Sequence, residues 1–281
     1  MEEYILFNEK SIISKWAADM YDQKETNMDD VEFLLSTIGS TPKRILEVCC
    51  GSGRILVPLA KTGHTVSGFD ADEFMLAKIP AKASDHRNIE WKKSDAVHDD
   101  WGTGFDVVVL AGNILYNIVS DMDYAKAQEL FIQKAASALV PGGYIYIEYQ
   151  PGGHNLAQPK QLSKQPTDAA ERVIWEGRDN DGNFGRMLFL AGSTYDADTQ
   201  LNKFTRRFEI TLANGELITQ DIPSQKHFAT LEQLHSWLAN AGFVVEQEYG
   251  DYKRNPIECG VIIYAKNCLT YNKTPQAGYD L

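Results

Sequence analysis

The sequence predicts an α/β fold in which a doubly wound, mostly parallel sheet of seven strands carries an antiparallel β insertion after its fifth strand. Three observations lead to this prediction. Short, almost continuous apolar runs alternate with amphipathic segments over residues 44–149, β-rich runs lie within residues 172–222, and a helical pattern with two more apolar runs follows at 231–265. Strands that are apolar along their whole length are typical of a parallel sheet covered by helices on both faces.

The elements of this sheet follow in order from apolar spacing and from helix-breaking residues. Residues 11–38 have the pattern of one or two helices, which Thr41 and Pro42 end. Five strands are then predicted, at residues 44–48, 65–69, 89–93, 106–110 and 144–149. The helices between them are predicted at residues 54–61, at 72–79 with Pro80 as the stop, and at 121–139. A helix at 231–241 and strands at 243–249 and 259–265 complete the sheet.

The pattern changes after Gln150. Residues 151–168 are loop-like, and four β-rich runs follow, at 172–177, 186–195, 203–212 and 216–222. The pair Asn214 and Gly215 is a strong hairpin signal. The insertion either extends one edge of the sheet or forms a lid over the strand ends where ligands bind, and its length favours the lid. We therefore predict a core of residues 1–150 and 223–267, a lid of residues 151–222 and a flexible tail of residues 268–281.

Composition and charge restrict the class of partner. The chain of 281 residues has 39 acidic and 27 basic residues and a net charge of -12, without a basic block, which argues against a nucleic-acid partner. No apolar run approaches the roughly 18 residues of a membrane span, and the N-terminus does not resemble a secretory signal. The spacing of the four cysteines is unlike that of metal sites, so we expect no metal and a cytoplasmic location. The oligomeric state stays open, with a homodimer as one option.

Residues 44–78 are the most informative stretch of the chain. An apolar run ends in the small residues CCGSG at 49–53, an amphipathic segment follows, and a second apolar run ends in Asp70. A strand, a tight glycine turn, a helix, a second strand and an acid form a unit that typically binds a nucleoside. The dinucleotide fingerprint GxGxxG would need a third glycine where Leu56 stands, which disfavours an oxidoreductase.

Residues 47–53 (EVCCGSG) resemble the first motif of the class I S-adenosylmethionine (SAM)-dependent methyltransferases. Further segments resemble later motifs of this family, in order and at fitting spacing: Asp70 with Ala71, residues 72–76, residues 94–96, residues 106–110 with Asn113, and residues 139–143. The resemblance covers residues 16–149 and 230–265. It implies a Rossmann-like methyltransferase fold and SAM as the cofactor.

The resemblance also implies which residues contact SAM. Gly51 and Gly53 would let the backbone approach the methionine portion, Glu47 would serve the ammonium group, and Asp70 would bind the ribose hydroxyls. Met75 would pack on the adenine, and Asp95 would accept a hydrogen bond from its amino group. The remaining predicted cofactor residues are Tyr21, Arg54, Ala71, Ala96, Leu110 and Asn113.

Each of these side chains also has a plain structural interpretation, which the sequence leaves open. Glu47, Asp70 and Asp95 could cap turns or helices, and Met75 could belong to the core. Tyr21 could pack between helices. Arg54 could lie on the surface.

Two positions depart from the family pattern. Cys49 stands where the family has its first glycine, so either the turn avoids a positive φ there or the cysteine carries mild strain. Asp72 replaces the usual serine and adds one charge near the ribose.

The chemistry of methyl transfer limits what the catalytic residues must do. A sulfonium is already an activated electrophile, so positioning of the acceptor supplies much of the rate. An amine needs only to be neutral, whereas a hydroxyl or a carboxylic acid can need a general base. Tyr116, His154 and His227 are the candidate catalytic residues, because each follows or precedes an element near a strand end. Each could instead be structural or exposed to solvent.

The predicted function is transfer of a methyl group from SAM to a nitrogen or oxygen of a small molecule or short peptide. Nitrogen is slightly favoured because no base stands out. The alternatives are a nucleotide-cofactor oxidoreductase and a non-catalytic SAM-binding module. The lid could also bind an anionic group through one arginine, but the sequence does not choose among Arg172, Arg178, Arg186, Arg206 and Arg207.

Overall fold

The computed structural model describes residues 2–84, 87–151, 156 and 170–268. The core begins with α1 (Glu2–Lys24), α2 (Asp29–Ile38), β1 (Arg44–Val48), α3 (Leu56–Lys61), β2 (Thr65–Asp70), α4 (Glu73–Leu76), α5 (Ile79–Ala83), β3 (Ile89–Lys93), β4 (Phe105–Leu110), α6 (Ile114–Asn117), α7 (Tyr124–Ala138) and β5 (Leu139–Tyr149). The insertion contains β6 (Arg172–Arg178), β7 (Phe184–Phe189), β8 (Thr194–Asp196), β9 (Leu201–Thr211) and β10 (Leu217–His227). The chain then continues with α8 (Leu231–Asn240), β11 (Phe243–Tyr249) and β12 (Val261–Asn267).

The seven-stranded sheet has the order β11-β12-β5-β4-β1-β2-β3. Strands β3, β2, β1, β4 and β5 pair in parallel, and β12 and β11 pair antiparallel at one edge. The insertion forms a second, antiparallel sheet in the order β10-β9-β7-β6, with β8 also paired to β9. The predicted fold class, including the β-rich insertion after the fifth strand, is therefore confirmed.

Both faces of the large sheet are buried, which explains why its strands are apolar throughout. On one face, Val108 and Ile147 pack in a cluster with Phe131 of α7 and Leu234 of α8. On the other face, the cluster is built from sheet residues together with residues of α2, α3 and α5. Because β1, β2 and β4 are parallel neighbours, their carboxyl ends lie together at one end of the sheet, where the loops that follow them can build a site.

Helix α1 joins the inserted sheet to the core. Trp16, which is fully buried, packs edge-on against Phe208 of β9 at 6.3 Å and donates a hydrogen bond to the carbonyl of Gly177 at 3.2 Å. A Cβ on Gly185 would come within 2.4 Å of the Trp16 indole, so only glycine fits at that position. One face of the inserted sheet is thereby packed against α1. Within the described part of the chain, no helix is long and apolar enough to cross a bilayer.

Local details differ from the sequence-based expectation in two places. Pro80 does not simply end a helix: the chain forms the short α4 and then restarts as α5, with Pro80 in its first turn. Proline is well tolerated there because the first-turn N–H groups have no partner within the helix. The predicted strand at 186–195 is split into β7 and β8, with Gly192 at φ 89 between them.

Candidate active site

The glycine turn after β1 has the backbone geometry of a close ligand approach. Cys49, Gly51 and Gly53 all have positive φ, at 56, 52 and 78 degrees. A Cβ on Gly51 would lie 3.0 Å from Cε of Met75, so a larger residue at position 51 would crowd the Met75 side chain. Cys49 therefore adopts the strained alternative of the two that the sequence leaves open. Such strain in a non-glycine residue is typical of functional sites, where surrounding structure holds it in place.

Asp70 at the end of β2 is held by backbone groups on both sides. Its Oδ2 accepts a hydrogen bond from the Gly51 N–H at 2.9 Å, and its Oδ1 accepts one from the Asp72 N–H at 2.8 Å. Asp72, and not Asp70, is the N-cap of α4, because it accepts hydrogen bonds from Phe74 and Met75. Burial raises the pKa of Asp70. Each oxygen keeps a further lone pair, which suits the two hydroxyls of a ribose.

Glu47 lies beneath the glycine turn and is only 4% exposed. Its Oε2 has no hydrogen-bond partner among the described residues. Burial raises the pKa of Glu47 well above its ordinary value, Arg54 lowers it, and Asp70 and Asp30 raise it further. A buried, unsatisfied carboxylate is costly unless it is protonated or meets a cation. Oε2 of Glu47 is therefore an acceptor that fits an ammonium group, as the resemblance implies for SAM.

Arg54 and Tyr21 come together over this turn. The guanidinium of Arg54 binds both carboxylate oxygens of Asp30, and it also donates to the Asn27 carbonyl at 3.0 Å and to the Tyr21 hydroxyl at 3.4 Å. The Tyr21 ring packs edge-on against Trp175 of β6, with a centroid distance of 6.4 Å. The guanidinium of Arg54 is therefore largely taken up by hydrogen bonds to Asp30 of α2 and to Tyr21. Through Tyr21 and Trp175, it connects the turn to the inserted sheet.

The residues that we predict to contact adenine follow the carboxyl ends of β2 and β3. Asp95 is exposed, and its Oδ1 accepts hydrogen bonds from the N–H groups of Val97 at 2.7 Å and His98 at 3.1 Å. Asp95 therefore caps the turn that follows β3. Ala71 is exposed at the end of β2, and Ala96 is buried. Their roles toward adenine remain predictions.

At the end of β4, two predicted cofactor residues have structural contacts. The Asn113 side chain donates to the Gln150 carbonyl at 2.6 Å and accepts from the Gln150 N–H at 3.0 Å, so it ties the ends of β4 and β5 together. Asn113 has φ 60, a left-handed conformation that asparagine tolerates better than most residues. Leu110 is fully buried. A contact of either residue with SAM stays a prediction.

The three candidate catalytic residues have different environments. His227 is 3% exposed, and its Nδ1 lies 2.7 Å from Oε1 of Gln128, while burial lowers its pKa. Tyr116 packs against Tyr149 and Phe228, and burial raises its pKa, which keeps the phenol protonated at neutral pH. His154 lies outside the described residues. The surroundings of His227 favour the structural interpretation.

Sequence reasoning did not single out two buried groups near the site. Glu148 of β5 is 6% exposed, accepts a hydrogen bond from the Gly112 N–H at 3.2 Å and accepts another from the Tyr252 hydroxyl. Asp19 of α1 is 3% exposed and binds Lys78. An acid within the otherwise apolar run YIYIEY was a usable signal for Glu148. No comparable signal marks Asp19, because α1 carries many charged residues.

The position of Glu47 predicts a pH dependence of stability. A carboxyl whose pKa is higher in the folded than in the unfolded state stabilises most below its unfolded value of about 4.3, and this contribution is lost as the pH rises through the folded value. We expect Glu47→Gln to remove part of the fall in the melting temperature of the ligand-free protein above about pH 4.3. The control is Glu90→Gln, an exposed strand acid. Identical pH slopes for wild type and Glu47→Gln would contradict this prediction.

Comparison with known proteins identifies the family of this chain. The model of a family described as "Methyltransferase domain" matches residues 45–143, which span the glycine turn, Asp70 and Asp95. A protein of Geobacillus sp. (strain WCH70) named "Putative methyltransferase" is 41% identical over 211 residues, which cover 75% of this chain and 77% of that relative. The chain belongs to the class I SAM-dependent methyltransferases, and SAM is its cofactor. It is an enzyme of this class and not a nucleotide-cofactor oxidoreductase or a non-catalytic binding module.

Solved structures show the same fold at low sequence identity. The CcbJ methyltransferase from Streptomyces caelestis has a TM-score of 0.65 and 18% identity, with 91% of this chain and 98% of that chain covered. The sugar N-methyltransferase KedS8 from Streptoalloteichus sp. ATCC 53650 has a TM-score of 0.62 and 15% identity, with 86% and 90% covered. Most of this chain is covered in both comparisons, so these structures share its fold.

Proposed function

We propose that this enzyme transfers the methyl group of SAM to a nitrogen atom of a small molecule or short peptide. The observation that carries the proposal is the cradle at the ends of β1 and β2. There, Oε2 of the buried Glu47 has no hydrogen-bond partner among the described residues, and Asp70 is held by two backbone N–H groups. This set of groups matches a ligand that has both a cation and a ribose.

The residues present can be assigned to the parts of SAM. Glu47 would hold the ammonium group, Asp70 the ribose hydroxyls, and Met75 and Asp95 the adenine. SAM supplies the activated methyl group on its sulfonium. Tyr21, positioned by Arg54 and Trp175, would cover the methionine end and help to exclude water.

The environment of the candidate bases supports nitrogen as the acceptor. Of the described candidates, Tyr116 is kept protonated by burial, and His227 is occupied by Gln128. Neither can readily take a proton from a hydroxyl, whereas a neutral amine needs no base. KedS8, a structural neighbour of this chain, is a sugar N-methyltransferase, and nitrogen as the acceptor agrees with this similarity.

We further propose that residues 151–222 act as the lid over a core of residues 1–150 and 223–267. The contacts of α1 with the inserted sheet support this proposal, because α1 carries Tyr21 and is bonded to Lys78 and Lys82 beside the cradle. A lid of this kind would select acceptors that fit beneath it, so small molecules or short peptides are the proposed substrates.

The test is a methyl-transfer assay with SAM that carries a labelled methyl group. Matched pairs of amines and alcohols with the same carbon skeleton serve as acceptors. We expect labelled product and demethylated cofactor with at least some amines, and little or none with the matched alcohols. Transfer to alcohols at equal or higher rates would contradict nitrogen as the acceptor. Failure of every acceptor, with SAM still bound, would contradict the proposed substrate class.

A further inference from the structure

A cavity of about 560 Å³ lies between the inserted sheet and the loop that follows α6. The residues that line it include three basic side chains, Lys203, Arg206 and Lys226, and no acid. The chain as a whole has 39 acidic and 27 basic residues. Since acidic residues outnumber basic residues in the chain, a cavity lined by basic but no acidic side chains is not explained by composition.

Two of these cations, Arg206 and Lys226, lie on the inner face of the inserted sheet. Arg206 of β9 is paired with Ile222 of β10, and directly paired residues share one face of a sheet. Phe208 lies two residues after Arg206, and Lys226 four residues after Ile222, so all four residues share that face. Phe208 packs against Trp16 of α1. The face that carries Arg206 and Lys226 is thus the one turned toward the core.

Neither cation is neutralised by an acid. The contact found for Arg206 is a hydrogen bond from its Nε to Oγ of Ser224 at 3.2 Å, and among the described residues neither Arg206 nor Lys226 forms an ion pair. Burial lowers the pKa of Arg206, and burial together with the charge of Arg206 lowers the pKa of Lys226 to about 8. Half-buried like charges without a counter-ion are costly, and a bound anion would remove that cost.

The next residue along the strand shows the contrast. Arg207 lies on the outer face and binds both carboxylate oxygens of Asp221, at 2.7 and 2.8 Å. The acids of the adjoining loop are also occupied: Asp123 caps α7 through the Lys126 N–H, and Asp121 lies 3.3 Å from His98. Within the described part of the chain, Arg207 on the outer face is therefore paired with an acid, whereas Arg206 and Lys226 on the inner face are not.

The cavity lies near the carboxyl ends of the strands of the large sheet, as the cofactor cradle does. Nζ of Lys226 is 5.7 Å from the centroid of the Tyr116 ring. Tyr116 belongs to α6, which directly follows β4, and β4 pairs with β1, the strand that leads into the glycine turn. An acceptor that reaches from the cavity toward the cradle would pass along these strand ends.

We propose that Arg206 and Lys226 bind an anionic group of the methyl acceptor, either a carboxylate or a phosphate. The inference rests on the proposed function and makes the acceptor an amine that also carries a negative charge. Arginine binds both anions well because its planar N–H fork matches two oxygens, and lysine adds a point charge. The anion would lie in the cavity, with the amine directed toward the methyl group.

The first test measures anion binding without methyl transfer. Acetate and inorganic phosphate are titrated by calorimetry into the full chain with the demethylated cofactor bound, and the stronger of the two identifies the preferred group. We expect Arg206→Gln and Lys226→Gln each to weaken binding roughly 10- to 100-fold, the usual effect of losing a charged hydrogen bond. The matched control Arg207→Gln should bind as wild type does. Absence of binding by both anions, or an equal loss in Arg207→Gln, would overturn the proposal.

A second measurement excludes a merely structural role. Because Arg206 forms no ion pair with any residue that the structure describes, Arg206→Met should leave the melting temperature of the ligand-free protein unchanged or raise it, while anion binding is lost. A lower melting temperature with unchanged anion binding would show that Arg206 only supports the fold, and would overturn the proposal.

The final test separates this proposal from the proposed function. Methyl transfer is compared for phosphoethanolamine against ethanolamine and for β-alanine against β-alaninamide. We expect kcat/KM to be about tenfold or more higher for the anionic member, and the preference to disappear in Arg206→Gln and Lys226→Gln but not in Arg207→Gln. Equal transfer to both members would overturn the anion site and leave N-methylation intact. Anion binding that depends on Arg206 and Lys226, without transfer to any amine, would support the site and contradict the proposed function.

Discussion

Asp70→Ala is expected to weaken SAM binding roughly 100-fold, which corresponds to the loss of two charge-assisted hydrogen bonds at about 1.5 kcal/mol each. The structural reason is that both oxygens of Asp70 are oriented by the N–H groups of Gly51 and Asp72. Without the carboxylate, the ribose loses its acceptors, and the Gly51 N–H at the turn loses its partner. Calorimetry with SAM and with its demethylated product measures the effect.

The control for this variant is Glu90→Ala, which removes an exposed acid of the adjacent strand β3 and a hydrogen bond with Ser67. Its SAM affinity should stay within about twofold of wild type, because surface substitutions away from a site have small effects. Unchanged affinity in Asp70→Ala would remove Asp70 from the cofactor site, and a similar loss in both variants would point to a general effect of charge.

Asp19→Ala is expected to lower the free energy of unfolding by about 3 kcal/mol, because it leaves the Lys78 ammonium, whose side chain is 17% exposed, and the Asn180 N–H without their buried partner. Asp19 is 3% exposed and joins three parts of the protein: it lies on α1, it binds Lys78 between α4 and α5, and it accepts hydrogen bonds from the N–H and the side chain of Asn180 in the β6–β7 hairpin at 2.8 and 2.9 Å. Chemical denaturation measures the change.

The matched control is Asp181→Ala in the same hairpin. Asp181 also binds a lysine of α1, Lys15, but the two side chains are 51% and 46% exposed. Exposed ion pairs are worth about 0–1 kcal/mol, so Asp181→Ala should have a small effect. Hydrogen exchange adds a second readout, since only Asp19→Ala should speed exchange in the hairpin. Equal effects of the two variants would contradict the assignment of Asp19 as the link between core and insertion.

The alternation of elements could be predicted from the sequence because each strand of a parallel sheet is buried on both faces. The runs at 44–48 and 89–93 coincide with β1 and β3. The glycine turn that precedes Asp70 could also be predicted from the sequence, since a tight turn requires residues that tolerate positive φ. The division of residues 72–83 into α4 and α5 was not, because proline disfavours a helix interior but suits a first turn, and the sequence alone does not distinguish the two.

Side-chain roles were less predictable than the elements that carry them. His227 and Asn113 were chosen because they lie near strand ends, yet the structure places them in hydrogen bonds with Gln128 and with Gln150. Polar residues near a strand end can point toward a ligand or toward a neighbouring loop. Only the packing of the loops decides between these directions.

The sequence by itself determined the class of fold and the family and predicted the cofactor site, because these depend on periodicity and on short motifs, which all lie between residues 47 and 143. The tertiary structure alone decided that Arg206, among the five arginines of the insertion, faces the core and pairs with no acid of the described residues, and that Asp19 links α1 to the insertion. Pairing of a charge depends on residues distant in the sequence, such as Asp221 for Arg207, and alternation along a strand does not reveal them. The proposed acceptor site of this methyltransferase therefore depends on contacts between distant elements, whereas the predicted cofactor residues lie in short continuous motifs.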